Sequence, residues 1–245
     1  MKNNVILSLF PGLGLLDIGF IEHGYIVLRG PDVIYGTLHD IKQFHPPPGL
    51  FEGIIGGPPC QAHSILQYVN KKKGNKKAED LIPEFTRCIV EAEPEWFLME
   101  NVPRAPSPNI TGYTIQTFTI NNRLLKDSTP QNRVRRFWFG LRGNIQPDIL
   151  KYIEYSDKVS EKRENTVTAS GQFQGSRLST KKSGSNIVKK SLVLQGLPEN
   201  FFDTVPLTVS GKQRLIGNAV PLPMSRAIAK AICKYKDEIK LLETK

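Results

Sequence analysis

The predicted fold follows from residues 5–14, Val-Ile-Leu-Ser-Leu-Phe-Pro-Gly-Leu-Gly. In this stretch an apolar run ends in a glycine turn. The pattern predicts a βαβ unit, with a strand, a tight turn, a helix and a second strand over 5–10, 11–14, 15–22 and 25–29. Glycines at such a turn let backbone amides approach a ligand. Asp32 follows the second strand, where a carboxylate commonly binds ribose hydroxyls, although a plain turn with a surface acid fits equally well.

Two further predicted strands end in side chains that can do chemistry. A buried strand over 51–57 leads through two prolines into Cys60, and a strand over 96–99 leads into Glu100 and Asn101. Open α/β sheets carry their reactive groups at the carboxyl ends of strands, so Cys60 is the candidate nucleophile. A cysteine on its own is more often a small buried hydrophobe, and the other motifs favour the reactive interpretation.

An extended segment over 130–140 carries Gln131, Arg133 and Arg135 at alternate positions. Alternation in an extended chain places the three polar side chains on one face. The last helix, predicted over 224–242, has apolar residues at helical spacing and is interpreted as an amphipathic cover.

The length of 245 residues predicts one domain with room for a small second lobe. The three cysteines are widely separated and lack CxxC spacing, which argues against a disulfide framework and a zinc site, so we expect no metal. The apolar start is too short to span a membrane and is interpreted as a core strand. These features predict a cytoplasmic protein without a membrane partner.

Charge is unevenly distributed along the chain. The 33 lysines and arginines exceed the 23 acids by 10, yet the first 60 residues hold three bases and five acids. A basic remainder suits a polyanion such as nucleic acid, and a simple solubility charge is the alternative. The segment 67–80 predicts a mobile basic loop that contains Lys71, Lys72, Lys73, Lys76 and Lys77. The Ser-, Gly-, Thr- and Lys-rich stretch 163–190 predicts either a linker or a loop that faces nucleic acid.

In their order along the chain, these segments resemble the motifs of the DNA (cytosine-5) methyltransferase family over nearly the whole sequence. The resembling segments are 8–14, Asp32, Asp40–Ile41, 58–61, 100–102, 131–135, 194–198 and 217–221. The resemblance implies an α/β, Rossmann-like, S-adenosylmethionine-dependent methyltransferase fold, with a mostly parallel twisted sheet, helices on both faces and a reduced small lobe. It implies a catalytic domain over 1–143 and 212–245 and a reduced target-recognition lobe over 144–211.

The resemblance also implies the roles of individual residues. Cys60 would attack carbon 6 of cytosine, Glu100 would hold or donate a proton at ring nitrogen 3, and Arg133 and Arg135 would fix the base and favour the thiolate. S-adenosylmethionine would be bound by Phe10, Gly12, Gly14, Asp32, Asp40, Ile41, Pro59 and Asn218. Double-stranded DNA would be bound by Gln61, Ser64 and the five loop lysines, with the target base flipped out of the stack.

The chain departs from the family where the target-recognition region is expected. Residues 141–165 fill that place and are too few for a separate recognition domain, so we expect short or relaxed specificity, or an accessory specificity partner. The resemblance implies a bacterial or phage setting. Two alternatives stay open: an RNA (tRNA) cytosine-5 methyltransferase with the same active site, and an inactive basic DNA-binding module that retains the fold.

Overall fold

A computed structural model describes residues 4–36, 38–63, 78–170 and 184–243. The chain divides into two compact units, described separately below. The sheet unit comprises residues 1–11, 24–120 and 134–150, and the helical unit comprises 12–23, 121–133 and 151–245. The expected division into a catalytic domain and a recognition lobe concerns function and has other boundaries; it stays a prediction.

Six strands form one sheet within the described residues. They are β1 (Val5–Leu9), β2 (Ile26–Arg29), β3 (Gly53–Gly56), β4 (Trp96–Asn101), β5 (Tyr113–Asn121) and β6 (Val134–Arg142). Their order across the sheet is β2-β1-β3-β4-β6-β5. β1 pairs in parallel with β2 and β3, and β3 pairs in parallel with β4, whereas β4 and β6 are antiparallel. The predicted mostly parallel sheet is confirmed.

The core of the sheet unit forms where α2 (Ile82–Ala92) packs against the strands. All residues of β3 and β4 are buried, which explains their continuous apolar sequences. Asp80 accepts a hydrogen bond from the Ile82 amide at 3.1 Å and so satisfies one donor at the start of α2. The buried side chains that meet here include Leu7, Leu9, Ile54, Phe85, Ile89, Phe97 and Trp138.

The helical unit contains α1 (Leu15–Ile21), α3 (Gly184–Leu194), α4 (Val209–Asn218) and α5 (Leu222–Glu243). The hydroxyl of Ser225 on α5 donates to the Leu16 carbonyl on α1 at 2.7 Å. α5 buries Ile228, Ile232 and Tyr235, so the predicted amphipathic cover is confirmed.

The whole Ser-, Gly-, Thr- and Lys-rich stretch 163–190 is expected from the sequence to be a linker or a loop that faces nucleic acid. Its last residues instead begin α3, because Val188 and Leu192 bury their side chains in the core of the helical unit. Among the described residues, no helix combines the length and apolarity needed to cross a membrane.

Substitution of Gly53 tests how tightly side chains pack against the sheet. A Cβ at this position would lie 2.3 Å from Cε2 of the fully buried Trp96. We expect Gly53→Ala to lower the free energy of unfolding by about 1–3 kcal/mol, since an overpacked core must displace rigid groups. Urea denaturation measures the change. Gly211→Ala in α4 is the control, with an expected change below about 1 kcal/mol; equal losses in the two variants would contradict the packing described.

Candidate active site

The register of three parallel strands aligns the residues that follow them. Leu9 of β1 is paired with Gly56 of β3, and Gly56 is paired with Met99 of β4. Phe10, Gly57 and Glu100 therefore come next at the carboxyl ends of adjacent strands. The strand order also reverses between β1 and β3, and such a switch point is where open α/β sheets bind ligands.

Cys60 lies in the turn that leaves β3. Two prolines precede it, and each fixes its own φ angle near −65°; Pro59 has φ −50° and ψ 118°. Cys60 begins a 3-10 turn that ends at Ala62, and its carbonyl accepts a hydrogen bond from the His63 amide at 3.0 Å. Its side chain is partly buried and forms no disulfide. The predicted position of Cys60 at a strand's carboxyl end is confirmed.

Asn101 attaches the end of β4 to this turn. Its side-chain amide donates to the Pro58 carbonyl at 3.0 Å, and its oxygen accepts from the Val102 amide at 2.8 Å. Asn101 is 1% exposed, and its bond to the Pro58 carbonyl is shielded from water. A buried carbonyl that loses its donor costs about 1–3 kcal/mol, and Asn101 therefore helps to fix the turn that carries Cys60.

Glu100 is oriented by Arg135 and lies beside the turn that follows β3. Oε1 lies 2.9 Å from Nε of Arg135, with both side chains largely buried. Oε2 faces Gly57, where an added Cβ would approach it to 3.0 Å. Gly57, which lies three residues before Cys60, thus leaves space for the Glu100 carboxylate. An acid, a guanidinium and the turn that bears a cysteine meet here within the sheet unit.

Cys88 is a contrasting cysteine in the same unit. It lies fully buried on α2, and burial raises the pKa of its thiol to about 11. A thiol with so high a pKa is a poor nucleophile near neutral pH, because the thiolate is the reactive form. Cys88 is therefore interpreted as a core residue.

Several residues expected to bind the cofactor follow β1 or β2 in the sheet unit. Phe10 has φ +54°, a conformation that is uncommon for a residue other than glycine and is often found at functional sites. Asp32 and Asp40 each cap a 3-10 turn through a side-chain oxygen. Ile41 is buried in the core.

A cavity of about 270 Å³ opens beside Asp40 and is lined also by Arg29, His39 and Phe44. Complete ligand pockets usually measure about 300–1,000 Å³, so this cavity suits part of a ligand such as a nucleoside. Its mixed polar and aromatic lining fits that part of S-adenosylmethionine.

In the helical unit, the expected cofactor residues lie just before the start of α1 and at the end of α4. Gly12 and Gly14 have φ +54° and +77°, which explains the two glycines in the turn before α1. Asn218 is the last residue of α4. Their expected role in cofactor binding stays a prediction.

Arg133 and Gln131 form a buried network in the helical unit. The Arg133 guanidinium donates to the carbonyls of Val167, Gly217 and Ala219 at 2.8–3.0 Å. The Gln131 side chain accepts from the Val167 amide at 3.0 Å, so both residues contact the same backbone. These bonds give Arg133 a structural role, and the role in base binding implied by the resemblance stays a prediction.

Some expected nucleic-acid contacts fall outside the described residues: Ser64, Lys71, Lys72, Lys73, Lys76 and Lys77. Gln61 is described and is exposed in the 3-10 turn after Cys60. Two contributors to the structure had no role assigned from the sequence, namely Gly57 and Gln195. The Gln195 side chain donates to the carbonyls of Ile216 at 2.6 Å and Ala219 at 3.0 Å. Only its place in the segment 194–198 marked it beforehand.

Comparison with known proteins relates this chain to one family. A model described as C-5 cytosine-specific DNA methylase matches residues 5–191. The Type II methyltransferase M.NgoPII of Neisseria gonorrhoeae is 25% identical over 94% of this chain and 95% of its own length. The Type II methyltransferase M.FnuDI of Fusobacterium nucleatum is 27% identical over 64% of this chain and 52% of its own.

Solved structures show the same fold. The Dnmt2 methyltransferase of S. pombe aligns with a TM-score of 0.63 over 97% of this chain and 99% of its own, at 12% identity. At that identity the likeness concerns the fold alone, and it confirms the predicted methyltransferase fold.

Removal of the Arg133 guanidinium tests its structural role. We expect Arg133→Met to lower the free energy of unfolding by about 3 kcal/mol, since the buried carbonyls of Val167 and Gly217 would each lose a charged donor. The control is Arg142→Met, because Arg142 is half-exposed and its ion pair with Glu93 is a long one, at 3.9 Å. We expect the free energy of unfolding of this variant to change by no more than about 0.5 kcal/mol. Urea denaturation of both variants measures the difference, and an Arg133→Met protein as stable as the control would refute the role.

Proposed function

This chain belongs to the C-5 cytosine-specific DNA methylase family, as predicted from its motifs, and we propose that it methylates cytosine through a covalent adduct with Cys60. It is a DNA (cytosine-5) methyltransferase, and its family uses S-adenosylmethionine as methyl donor. The observation that carries the proposed mechanism is the meeting of Glu100 with Arg135 and with the turn that bears Cys60. Each step below assigns a task to one of these groups.

Cys60 supplies the nucleophile that cytosine methylation requires. Carbon 5 of cytosine is a poor nucleophile until a thiolate adds to carbon 6. As the sulfur–carbon bond forms, the ring double bond moves to carbons 4 and 5, and nitrogen 3 takes a proton. Carbon 5 then reacts as an enamine. It takes the methyl group of the bound cofactor, which leaves as its thioether. Loss of the proton from the methylated carbon 5 then expels the thiolate, and return of the nitrogen-3 proton to Glu100 restores the neutral aromatic ring.

Glu100 is the group proposed to hold the proton at nitrogen 3. The carboxylate is buried, and Arg135 contacts one of its oxygens, so its orientation is set before the base arrives. A positioned acid of this kind contributes as a general acid. Arg135 has a planar donor array that suits a base carbonyl, and its charge favours a thiolate nearby.

The cofactor supplies an electrophilic methyl group when it is bound. Within the sheet unit, Phe10, Pro59, Asp32 and Asp40 are proposed to hold it, with its nucleoside in the cavity beside Asp40. Asp32 is 9% exposed and follows β2, a position that suits hydrogen bonds to ribose hydroxyls.

The target cytosine must leave the base stack to reach Cys60. Unstacking costs a few kcal/mol and is common to enzymes that modify bases. Residues 143–165 of the expected recognition region contain one 3-10 turn, Leu150–Tyr152, and isolated β-bridges at Tyr155 and Glu164, but no helix or strand. Such a segment supports a proposal of short or relaxed specificity, since direct base reading requires side chains on a firm element.

The substrate is tested with labelled S-adenosylmethionine and, separately, duplex DNA and tRNA, followed by mass spectrometry of the nucleosides. We expect 5-methylcytosine in DNA, with a short or variable set of flanking bases. Label in tRNA alone would favour an RNA methyltransferase. Label in neither, from folded protein, would favour the inactive DNA-binding module or a missing partner.

Two cysteine variants test the nucleophile. We expect Cys60→Ala to abolish methyl transfer while the protein remains folded. The matched control is Cys88→Ala, which removes a buried, high-pKa thiol and should retain turnover at a temperature where the variant is folded. Turnover and circular dichroism are measured for both. Methyl transfer by Cys60→Ala would exclude a covalent mechanism at this residue.

A further inference from the structure

We propose that Arg87 on α2 is a positioning residue for the cofactor, because its guanidinium holds the turn 40–44 that forms one wall of the cavity. Asp40, Gln43 and Phe44 of this turn line the cavity. The inference rests on the proposed function, since it takes the cavity as part of the S-adenosylmethionine site. Arg87 itself does not line it.

The contacts of Arg87 engage each of its three nitrogens. Nη2 donates to the carbonyl of Ile41 at 2.8 Å and to that of Phe44 at 3.0 Å. Nε donates to Glu84 at 2.8 Å, and Nη1 donates to both oxygens of Glu91 at 2.8 and 2.9 Å. A guanidinium has five N–H donors in a rigid plane, and here they join α2 to the turn.

The two glutamates fix the guanidinium itself. Glu84 and Glu91 lie three residues before and four residues after Arg87, so all three share one face of α2. Partial burial raises the pKa of the Glu91 carboxyl. Hydrogen bonds from Arg87 and His45 outweigh this effect and hold that pKa below its ordinary value. Glu91 therefore stays ionised and keeps Arg87 directed at the carbonyls.

The Arg87 contact adds a restraint on the backbone of the turn to those of its side chains, which include an exposed ion pair of Lys42 with Glu79. Its internal bonds are short-range: Asp40 caps the Lys42 amide, and the Phe44 amide donates to the Ile41 carbonyl. The buried Ile41 side chain fixes the depth of the turn in the core. Two carbonyls held by one planar group additionally fix how the turn is rotated, and thus where Asp40 and Phe44 face the ligand.

A simple stabilising ion pair would predict something different. Partly exposed ion pairs contribute about 0–1 kcal/mol to the free energy of unfolding, and such a contribution does not depend on the cofactor. Removing Glu84 would then be as harmful as removing the guanidinium. If Arg87 positions the turn, cofactor affinity must respond to loss of the two carbonyl contacts and not to loss of Glu84.

The test compares Arg87→Lys with Glu84→Gln. Lysine keeps the charge but is a point donor that cannot join both carbonyls to both acids, whereas Glu84→Gln leaves Nη2 on Ile41 and Phe44. A second control is Arg226→Lys, which breaks a bidentate pair with Glu22 in the helical unit. Binding of S-adenosylhomocysteine is measured by calorimetry, with melting temperature and steady-state kinetics for each variant.

We expect Arg87→Lys to weaken binding about tenfold, which corresponds to about 1.4 kcal/mol. The KM for S-adenosylmethionine should rise by a similar factor, with kcat at saturating cofactor and the KM for DNA within about twofold of wild type. Both control variants should bind S-adenosylhomocysteine within about twofold of wild type. We expect this even where their melting temperatures fall as far as that of Arg87→Lys.

Wild-type affinity in Arg87→Lys, or an equal loss in Glu84→Gln, would overturn the proposal. If Arg87→Lys does not fold, Arg87→Gln is measured in its place; failure of both to fold would make Arg87 a purely structural residue and also overturn it. If wild-type protein binds no S-adenosylhomocysteine and transfers no methyl group, the proposed function fails. Wild-type binding and turnover with an unaffected Arg87→Lys refute the positioning role alone.

Discussion

The parallel register of β1, β3 and β4 is the constraint on which the site depends. Pairing of Leu9 with Gly56 and of Gly56 with Met99 places Phe10, Gly57 and Glu100 at one edge of the sheet. A slip of one residue would turn Glu100 to the opposite face, because side chains alternate along a strand. Complete burial of β3 and β4 against α2 makes such a slip costly, so the hydrophobic core fixes where the chemistry takes place.

Arginines perform three different tasks in this protein. Arg135 contacts the Glu100 carboxylate, whereas Arg133, two residues earlier, donates to three backbone carbonyls in the helical unit. Arg87 combines both kinds of partner, with carboxylates on its own helix and carbonyls in the turn 40–44. In Arg133 and Arg87 the planar guanidinium fixes several acceptors at once, a task that lysine's point charge cannot perform.

Much of the fold and part of the site could be predicted from the sequence. Continuous apolar runs marked β3 and β4, and the position of Cys60 at the end of a buried strand followed from them. The helix Gly184–Leu194 was not expected, because Ser, Gly and Lys dominate that stretch and the burial of Val188 and Leu192 depends on distant residues. Arg133 and Arg135 are equivalent in an alternating pattern, and tertiary contacts alone distinguish them. The contacts of Arg87 with carbonyls more than 40 residues away leave no local signal in the sequence.

Trapping of the covalent adduct tests the role of Cys60 most sharply. Duplex DNA containing 5-fluorocytosine is incubated with the protein and S-adenosylmethionine, and the cross-linked peptide is identified by mass spectrometry. Fluorine at carbon 5 cannot leave as a proton does, so the final elimination that releases Cys60 is blocked. We expect a stable complex joined through Cys60, formed only when the cofactor is present. Methylation of ordinary DNA without any trapped adduct, or an adduct on another residue, would contradict the role of Cys60.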